Sequence, residues 1–110
     1  MNDFTQFQRW FKHYQEKFGL LGWKVYFKYE PIDGYFADTT FKLGDMVATV
    51  RLNSEDKDNP NKDVKRSAKH EALHLMIGRL ENNGRARYIS SDEIYETAEE
   101  LVHKLEELIE

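Results

Sequence analysis

Aromatic residues recur every three or four positions near the start of the chain, at Phe4, Phe7, Phe11, Tyr14 and Phe18. This spacing predicts an α-helix with one aromatic face, which is more typical of a packed core than of a ligand site. Asp3 and Gln6 have the spacing of a capping box at the start of this helix, and Gly19 follows its expected end.

The pattern then changes to alternation. Trp23, Val25, Phe27 and Tyr29 alternate with more polar residues, which predicts a strand with one buried face. Two further strands are predicted at residues 35–43 and 46–52, with the tight turn Gly44-Asp45 between them. Because the connections are of hairpin length, we expect a mainly antiparallel, three-stranded sheet.

A second helix is predicted between residues 60 and 83. Asn59 is a candidate N-cap, Pro60 suits the first helical position, and Gly84 lies just past the expected end. Asp63 adds negative charge to the opening turn. Apolar residues form one face and extend nearly around the cylinder: Val64, Ala68, Ala72, Leu75 and Met76, then Leu73, Ile77 and Leu80. The pattern therefore predicts a buried helix.

The last helix is predicted to span residues 92–110. Ser90 is its expected N-cap, and Glu93 would be the third helical residue of a capping box. One face of this helix is apolar, with Ile94, Ala98, Leu101, Val102, Leu105 and Leu108. The order of elements predicts a single α+β domain over residues 1–110, with an N-terminal helix, the sheet, the second helix and a C-terminal helix.

Composition excludes several kinds of site and partner. The chain has no cysteine, so it forms no disulfide framework and no thiolate metal site. Its net charge of -4 gives no general attraction to nucleic acid or to an anionic membrane. No apolar run is long enough to span a membrane, and the N-terminus has no apolar signal core. We therefore expect a soluble, cytoplasmic protein.

The second predicted helix contains the sequence His70-Glu71-Ala72-Leu73-His74, which is an H-E-x-x-H pattern. Residues four positions apart on an α-helix share one face, so His70 and His74 can bind a single Zn²⁺ together. Glu71 is angled toward the same cleft, where it can accept a proton from a water whose pKa the metal has lowered. The pattern thus predicts two metal ligands and a general base.

In this helical context the motif resembles that of zincin metallopeptidases, whose reduced ground plan is a helix, a short twisted sheet, an H-E-x-x-H helix and a following helix. Three stretches are also similar to small metallopeptidase-like proteins of phages and prophages: residues 66–75, Arg79-Leu80, and Glu99-Glu100-Leu101-Val102. The resemblance covers nearly the whole chain and implies a zinc-dependent metallopeptidase.

The motif does not define the third metal ligand. Ile77 and Leu80 stand where the metzincin pattern has glycine and histidine, so that pattern is excluded. Zincins of the thermolysin type instead imply a glutamate from the last helix. On a helical wheel, Glu99 lies just off the apolar stripe, beside Tyr95 and Val102, which predicts it as the third ligand. The alternatives are Glu93, Glu100 and Glu96 and, after them, His13 and His103.

Zinc held by the two histidines and Glu99, with Glu71 as the base, predicts hydrolysis of a peptide bond. The substrate is a peptide or protein, and the strand that begins near Met46 and ends at Asn53 is expected to offer it an edge for main-chain pairing. Hydrolysis of another amide bond would use the same residues. The alternative from a different class is a noncatalytic module in which zinc is structural and the cleft binds a regulated partner. A closed, four-ligand metal sphere would favour that module, whereas an open position beside an unoccupied Glu71 would favour catalysis.

Other polar residues near the motif admit more than one role. Tyr88 or Tyr95 could donate a hydrogen bond to a developing oxyanion, although a tyrosine at a core edge more often packs. The basic residues nearby form either a solvated helix face or a site for an acidic substrate or partner: Lys62, Lys65, Arg66, Lys69, Arg85 and Arg87.

Overall fold

A computed structural model describes residues 2–55 and 62–109 and shows an α+β fold. The described elements are α1 Asp3–Lys17, β1 Lys24–Glu30, β2 Ala37–Lys42, β3 Val47–Asn53, α2 Val64–Met76, α3 Gly78–Arg85 and α4 Ser91–Leu108. The predicted layout is confirmed, with the addition of the short helix α3. None of the described helices has both the length and the apolar character that a membrane span requires.

The sheet is mixed, and its strand order is β1-β3-β2. β2 and β3 form the predicted antiparallel hairpin, with Thr39 opposite Val50. β1 does not pair with β2 but runs parallel to β3, with Phe27 also opposite Val50. β3 occupies the centre because its inward side chains, Ala48, Val50 and Leu52, are all apolar and fully buried. Within the described sheet, β1 and β2 are therefore the edge strands.

Helices α1 and α2 cover one face of the sheet and enclose the core. The aromatic face of α1 is buried as predicted, and Phe11 meets Phe27 of β1 edge-on, with 5.4 Å between ring centroids. Apart from Ile32, the buried apolar residues that the structure describes form one cluster, made of Phe7, Phe11, Tyr14, Phe18, Leu20, Ala48, Val50, Leu52, Ala68, Ala72, Leu75 and Met76. This cluster places α2, and with it the H-E-x-x-H motif, across the sheet beside β2.

The starts of two helices differ from the prediction. Asn2, not Asp3, caps α1, because its side chain accepts a hydrogen bond from the Thr5 N–H at 2.8 Å. The predicted cap Asn59-Pro60 lies outside the described residues. The cap that the structure shows for α2 is Asp63, which is extended and accepts a hydrogen bond from the Arg66 N–H at 3.0 Å. Helix α2 therefore begins at Val64, later than predicted.

The predicted helix over residues 60–83 is divided into α2 and α3. Ile77 lies between them, with φ −94° and ψ 8°. Gly78 begins α3 in close contact with Phe41 of β2, whose ring occupies the space that a side chain would need. Gly84 lies inside α3 rather than past the end of a longer helix. The prediction of a buried helix is also wrong on one side, because Leu73, Ile77 and Leu80 are exposed.

Helix α4 packs on α3. Ser90 caps it as predicted and accepts a hydrogen bond from the Glu93 N–H at 3.0 Å. The predicted apolar stripe is only partly covered, because Leu101 and Leu108 pack against the core while Ile94 and Leu105 are exposed. The buried residue of α4 is Thr97, a polar one.

Candidate metal centre

The two histidines of the motif face each other one turn apart on α2. Their Nε2 atoms are 3.2 Å apart, and the imidazole planes make an angle of 75°. Two nitrogens bound to one tetrahedral zinc at about 2.0–2.1 Å would lie roughly 3.3 Å from each other. The separation of the two nitrogens is therefore compatible with two ligands of one zinc ion.

Glu71 lies on the neighbouring face of α2 and points toward β2. Its side chain is 5 % exposed, whereas both histidines are exposed. Thr39 of β2 donates a hydrogen bond from its hydroxyl to Glu71 Oε1, at 2.7 Å. A buried carboxylate needs such a partner, because an unpaired buried charge is costly. Thr39 thus joins the candidate site from a strand that precedes the motif by more than thirty residues.

A cleft of about 560 Å³ contains the three motif side chains. One wall is β2, and the other consists of α2 and α3. Its lining residues are Tyr35, Ala37, Asp38, Thr39, Thr40, Phe41, His70, Glu71, His74, Glu81, Asn82 and Arg85. A smaller hollow of about 270 Å³ continues past His70 and Glu71 to Arg66 and Ser67. The candidate site is therefore an elongated groove that follows β2.

The strand beside this groove is not the predicted one. The strand from Met46 to Asn53 was expected to offer a peptide-binding edge, but β3 is hydrogen-bonded to β1 on one side and to β2 on the other. Its main-chain groups are consequently engaged in the sheet. β2 is the edge strand that lines the groove. The correction follows from strand order, which a hairpin pattern in the sequence leaves undetermined.

The predicted third ligand lies apart from the histidine pair. Glu99 is exposed on α4, and its carboxylate lies 3.8 Å from His103 Nε2. Within residues 2–55 and 62–109, no group of three or more His, Cys, Asp or Glu side chains is arranged to hold a metal ion. Helix α4, which carries Glu99, packs mainly on α3. His13, which with His103 was the last alternative for the third ligand, lies edge-on to Trp10 and Tyr14.

The other three predicted alternatives on α4 are bound by one arginine. Arg79 of α3 donates hydrogen bonds to Glu93 at 2.6 and 2.7 Å, to Glu100 at 3.0 Å and to Glu96 at 3.1 Å. The hydrogen bonds from Arg79 and Thr97 lower the pKa of Glu93 to about 2. Burial raises the pKa of Glu100, but the hydrogen bonds from Arg79 and Lys104 outweigh it and leave that pKa below its usual value. Glu93, Glu96 and Glu100 thus dock α4 on α3.

Two of the remaining predicted residues line the groove. Arg66 lines its smaller hollow. Arg85 lines the larger cleft and forms an ion pair with Glu81 at 2.7 Å. Tyr88 and Tyr95 are strongly exposed, and neither lines the groove. Lys65 lies over the Trp10 ring, 4.4 Å from its centroid, which supports a packing role for part of the basic face.

No family model matches the chain, and no curated protein matches it. Among solved structures, it is similar to the crystal structure of the metallopeptidase zymogen of Methanocaldococcus jannaschii jannalysin. The two chains are 21% identical, the match covers 90% of this chain and 96% of that chain, and the TM-score is 0.49. At this identity and TM-score the likeness assigns neither a family nor an activity to this chain. The resemblance to zincins and to phage proteins stays a prediction from the sequence.

Proposed function

We propose that the protein is a zinc-dependent hydrolase of peptide bonds in which His70 and His74 are metal ligands and Glu71 is the general base. The observation that carries this proposal is the pair of imidazole nitrogens 3.2 Å apart in a groove that Glu71 also lines. This separation is close to the distance between two nitrogens bound to one tetrahedral zinc ion, which supports a shared metal.

The residues would divide the reaction between them. A zinc ion bound by the histidines supplies Lewis acidity, which favours attack of water on a carbonyl carbon. Glu71 accepts a proton from the attacking water and then donates it to the nitrogen of the leaving amine. Glu71 is buried beneath β2, which limits its contact with bulk water. Its carboxylate would therefore accept a proton from the attacking water rather than exchange protons with solvent.

The edge of β2 supports a peptide as the substrate. The Asn53 N–H donates to the Phe36 carbonyl at 2.8 Å, so residues 36 and 53 form a hydrogen-bonded pair of the antiparallel ladder. Such pairs alternate along the ladder, so the main-chain groups of Ala37, Thr39 and Phe41 point away from β3 and toward the groove. An extended peptide could pair with them as an added strand beside the histidines.

Glu99 stays the proposed third ligand, and the surroundings of the α4 carboxylates support it over the alternatives. Glu93, Glu96 and Glu100 all accept hydrogen bonds from Arg79, so each would have to leave a charged partner to bind a metal. Among the described residues, the contact of Glu99 is an exposed one with His103 at 3.8 Å. Ligation by Glu99 would require α4 to shift toward the histidine face of α2, and zinc binding would provide the driving free energy.

The test begins with metal content. Wild type reconstituted with Zn²⁺ should bind one ion per chain, and His70→Ala and His74→Ala should each lose it, as measured by elemental analysis and calorimetry. The matched control is His13→Ala, which removes a histidine of α1 that contacts Trp10 and should leave zinc binding unchanged. Failure of the wild type to bind zinc stoichiometrically would refute the proposal.

Glu71→Gln then separates hydrolysis from metal binding. It should keep the metal and the fold, because it changes a base and not a ligand, while cleavage of a fluorogenic peptide library falls by roughly a hundredfold or more. If this variant cleaves as fast as wild type, Glu71 is not the base. Zinc binding without cleavage of any peptide would instead favour hydrolysis of another amide or the noncatalytic module.

A further inference from the structure

We propose that Thr39 is a positioning residue for the general base, and that it links the peptide-binding edge of β2 to Glu71. Its hydroxyl would hold one oxygen of the Glu71 carboxylate so that the other faces the groove. Its main chain would pair with the substrate at the same time. This inference rests on the proposed function, and its test separates the two.

The hydrogen bond to Glu71 leaves one carboxylate oxygen open to the groove. Thr39 Oγ1 donates to Oε1 at 2.7 Å, a short distance that is typical of a hydroxyl bound to a carboxylate. Among the described residues, no buried side-chain oxygen or nitrogen lacks a hydrogen-bond partner. Because Thr39 is the partner that Glu71 has, Oε2 must be accessible from the groove. Oε2 is therefore the oxygen that can take a proton.

The position of Thr39 in β2 explains how one residue can serve both purposes. Thr39 lies opposite Val50, between the hydrogen-bonded pairs of the ladder, so its N–H and C=O point to the outer edge. Its side chain lies on the same face of the sheet as those of Ala37 and Phe41, which pack against the core. The hydroxyl accordingly faces α2 while the main chain faces the groove.

This arrangement restricts a side chain that otherwise has several rotatable bonds. Glu71 reaches the groove from a helix, and an unanchored carboxylate there would sample several orientations. Anchoring Oε1 on a strand fixes Oε2 relative to a peptide paired with that same strand. Small displacements of a catalytic group lower the rate strongly, so Thr39 should affect turnover more than binding.

The experiment compares Thr39→Val, which removes the hydroxyl and keeps the branched shape, with Thr39→Ser, which keeps the hydroxyl. Thr39→Val should lower kcat roughly tenfold or more, with KM and zinc affinity close to those of wild type, and Thr39→Ser should recover most of kcat. Thr49→Val makes the same substitution on β3, outside the groove, and should resemble wild type. In a Glu71→Gln background, Thr39→Val should cause no further loss.

A second measurement needs neither metal nor substrate. In the metal-free protein at neutral pH, the side-chain carboxyl ¹³C resonance of Glu71 should move toward that of an exposed glutamate in Thr39→Val and remain in place in Thr39→Ser and Thr49→Val. An unchanged resonance or an unchanged kcat in Thr39→Val would overturn the role of Thr39 and leave the proposed function intact. If wild type hydrolyses no peptide, the proposed function fails, and with it this role, even where the resonance moves.

Discussion

Gly78 allows α3 and β2 to approach each other, and its replacement by alanine should destabilise the protein. A Cβ atom at this position would lie 2.9 Å from Phe41 Cζ, 3.1 Å from Cε2 and 3.3 Å from Cε1. Favourable contacts between carbon atoms lie at about 3.5–4.0 Å, so the added Cβ would be too close to all three ring atoms. Trp23 packs against the ring edge-on, with 5.8 Å between centroids, and blocks its withdrawal in that direction.

Two opposing effects set the magnitude. Overpacking of a core typically costs about 1–3 kcal/mol. The higher helix propensity of alanine returns up to about 1 kcal/mol, and less at the first residue of a helix. The overlap with a braced ring should therefore prevail, with a net loss of about 1–2 kcal/mol. For a domain of this size, such a loss corresponds to a fall in Tm of roughly 4–8 °C or more.

The assay is thermal and urea unfolding of the metal-free protein, monitored by circular dichroism. Gly84→Ala is the matched control, because it lies in the same helix and its added Cβ would meet no atom within 4 Å. The control should keep or raise stability, so only Gly78→Ala should be less stable than wild type. Equal or increased stability in Gly78→Ala would refute the packing argument. Shortening the opposing side chain by Phe41→Leu should relieve the overlap and recover part of the loss.

Three further predictions concern α4. Arg79→Gln should make the free energy of unfolding depend less on pH under acidic conditions. The pKa of Glu93 is lowered from 4.5 to about 2 by Arg79. The stability that this pairing provides is therefore present above about pH 4.5 and is lost as the pH falls toward 2. The difference in unfolding free energy between wild type and variant, measured by urea titration, should shrink over that range, and a constant difference would contradict the pairing. Thr97→Val should cost about 1–3 kcal/mol, because it removes the hydroxyl that accepts a hydrogen bond from the buried Asn83 amide. The donor and acceptor are 2.6 Å apart. Thr97→Ser should stay near wild type, and equal urea midpoints for the two variants would argue against this explanation. Glu99→Ala should weaken zinc affinity by roughly tenfold or more, measured in competition with a chromophoric chelator. Alanine variants of Glu93, Glu96 and Glu100, which Arg79 binds, should keep the affinity of wild type. A loss of affinity in one of those three variants would identify that residue as the third ligand instead.

Local patterns in the sequence predicted much of this fold. The aromatic spacing in α1 and the apolar face of α2 identified residues that are buried, and the alternation at Trp23, Val25 and Phe27 identified side chains that pack against the core. The same reasoning placed His70, Glu71 and His74 beside one another, and all three line one groove. These features depend on residues within one or two turns of each other, where helix and strand geometry determine the direction of each side chain.

The tertiary structure alone decided which elements meet. β3 became the central strand, so the edge beside the groove belongs to β2 and not to the strand predicted from its position before the motif. The hydrogen bond between Thr39 and Glu71 joins residues on different elements, as do the bonds from Arg79 to the α4 carboxylates. No local period encodes such pairs, because strand order and helix docking depend on the summed packing of the whole core and not on the properties of neighbouring residues. The sequence by itself therefore determined the histidine pair and the carboxylate beside it, and tertiary packing determined the strand and the hydroxyl that complete the groove around them.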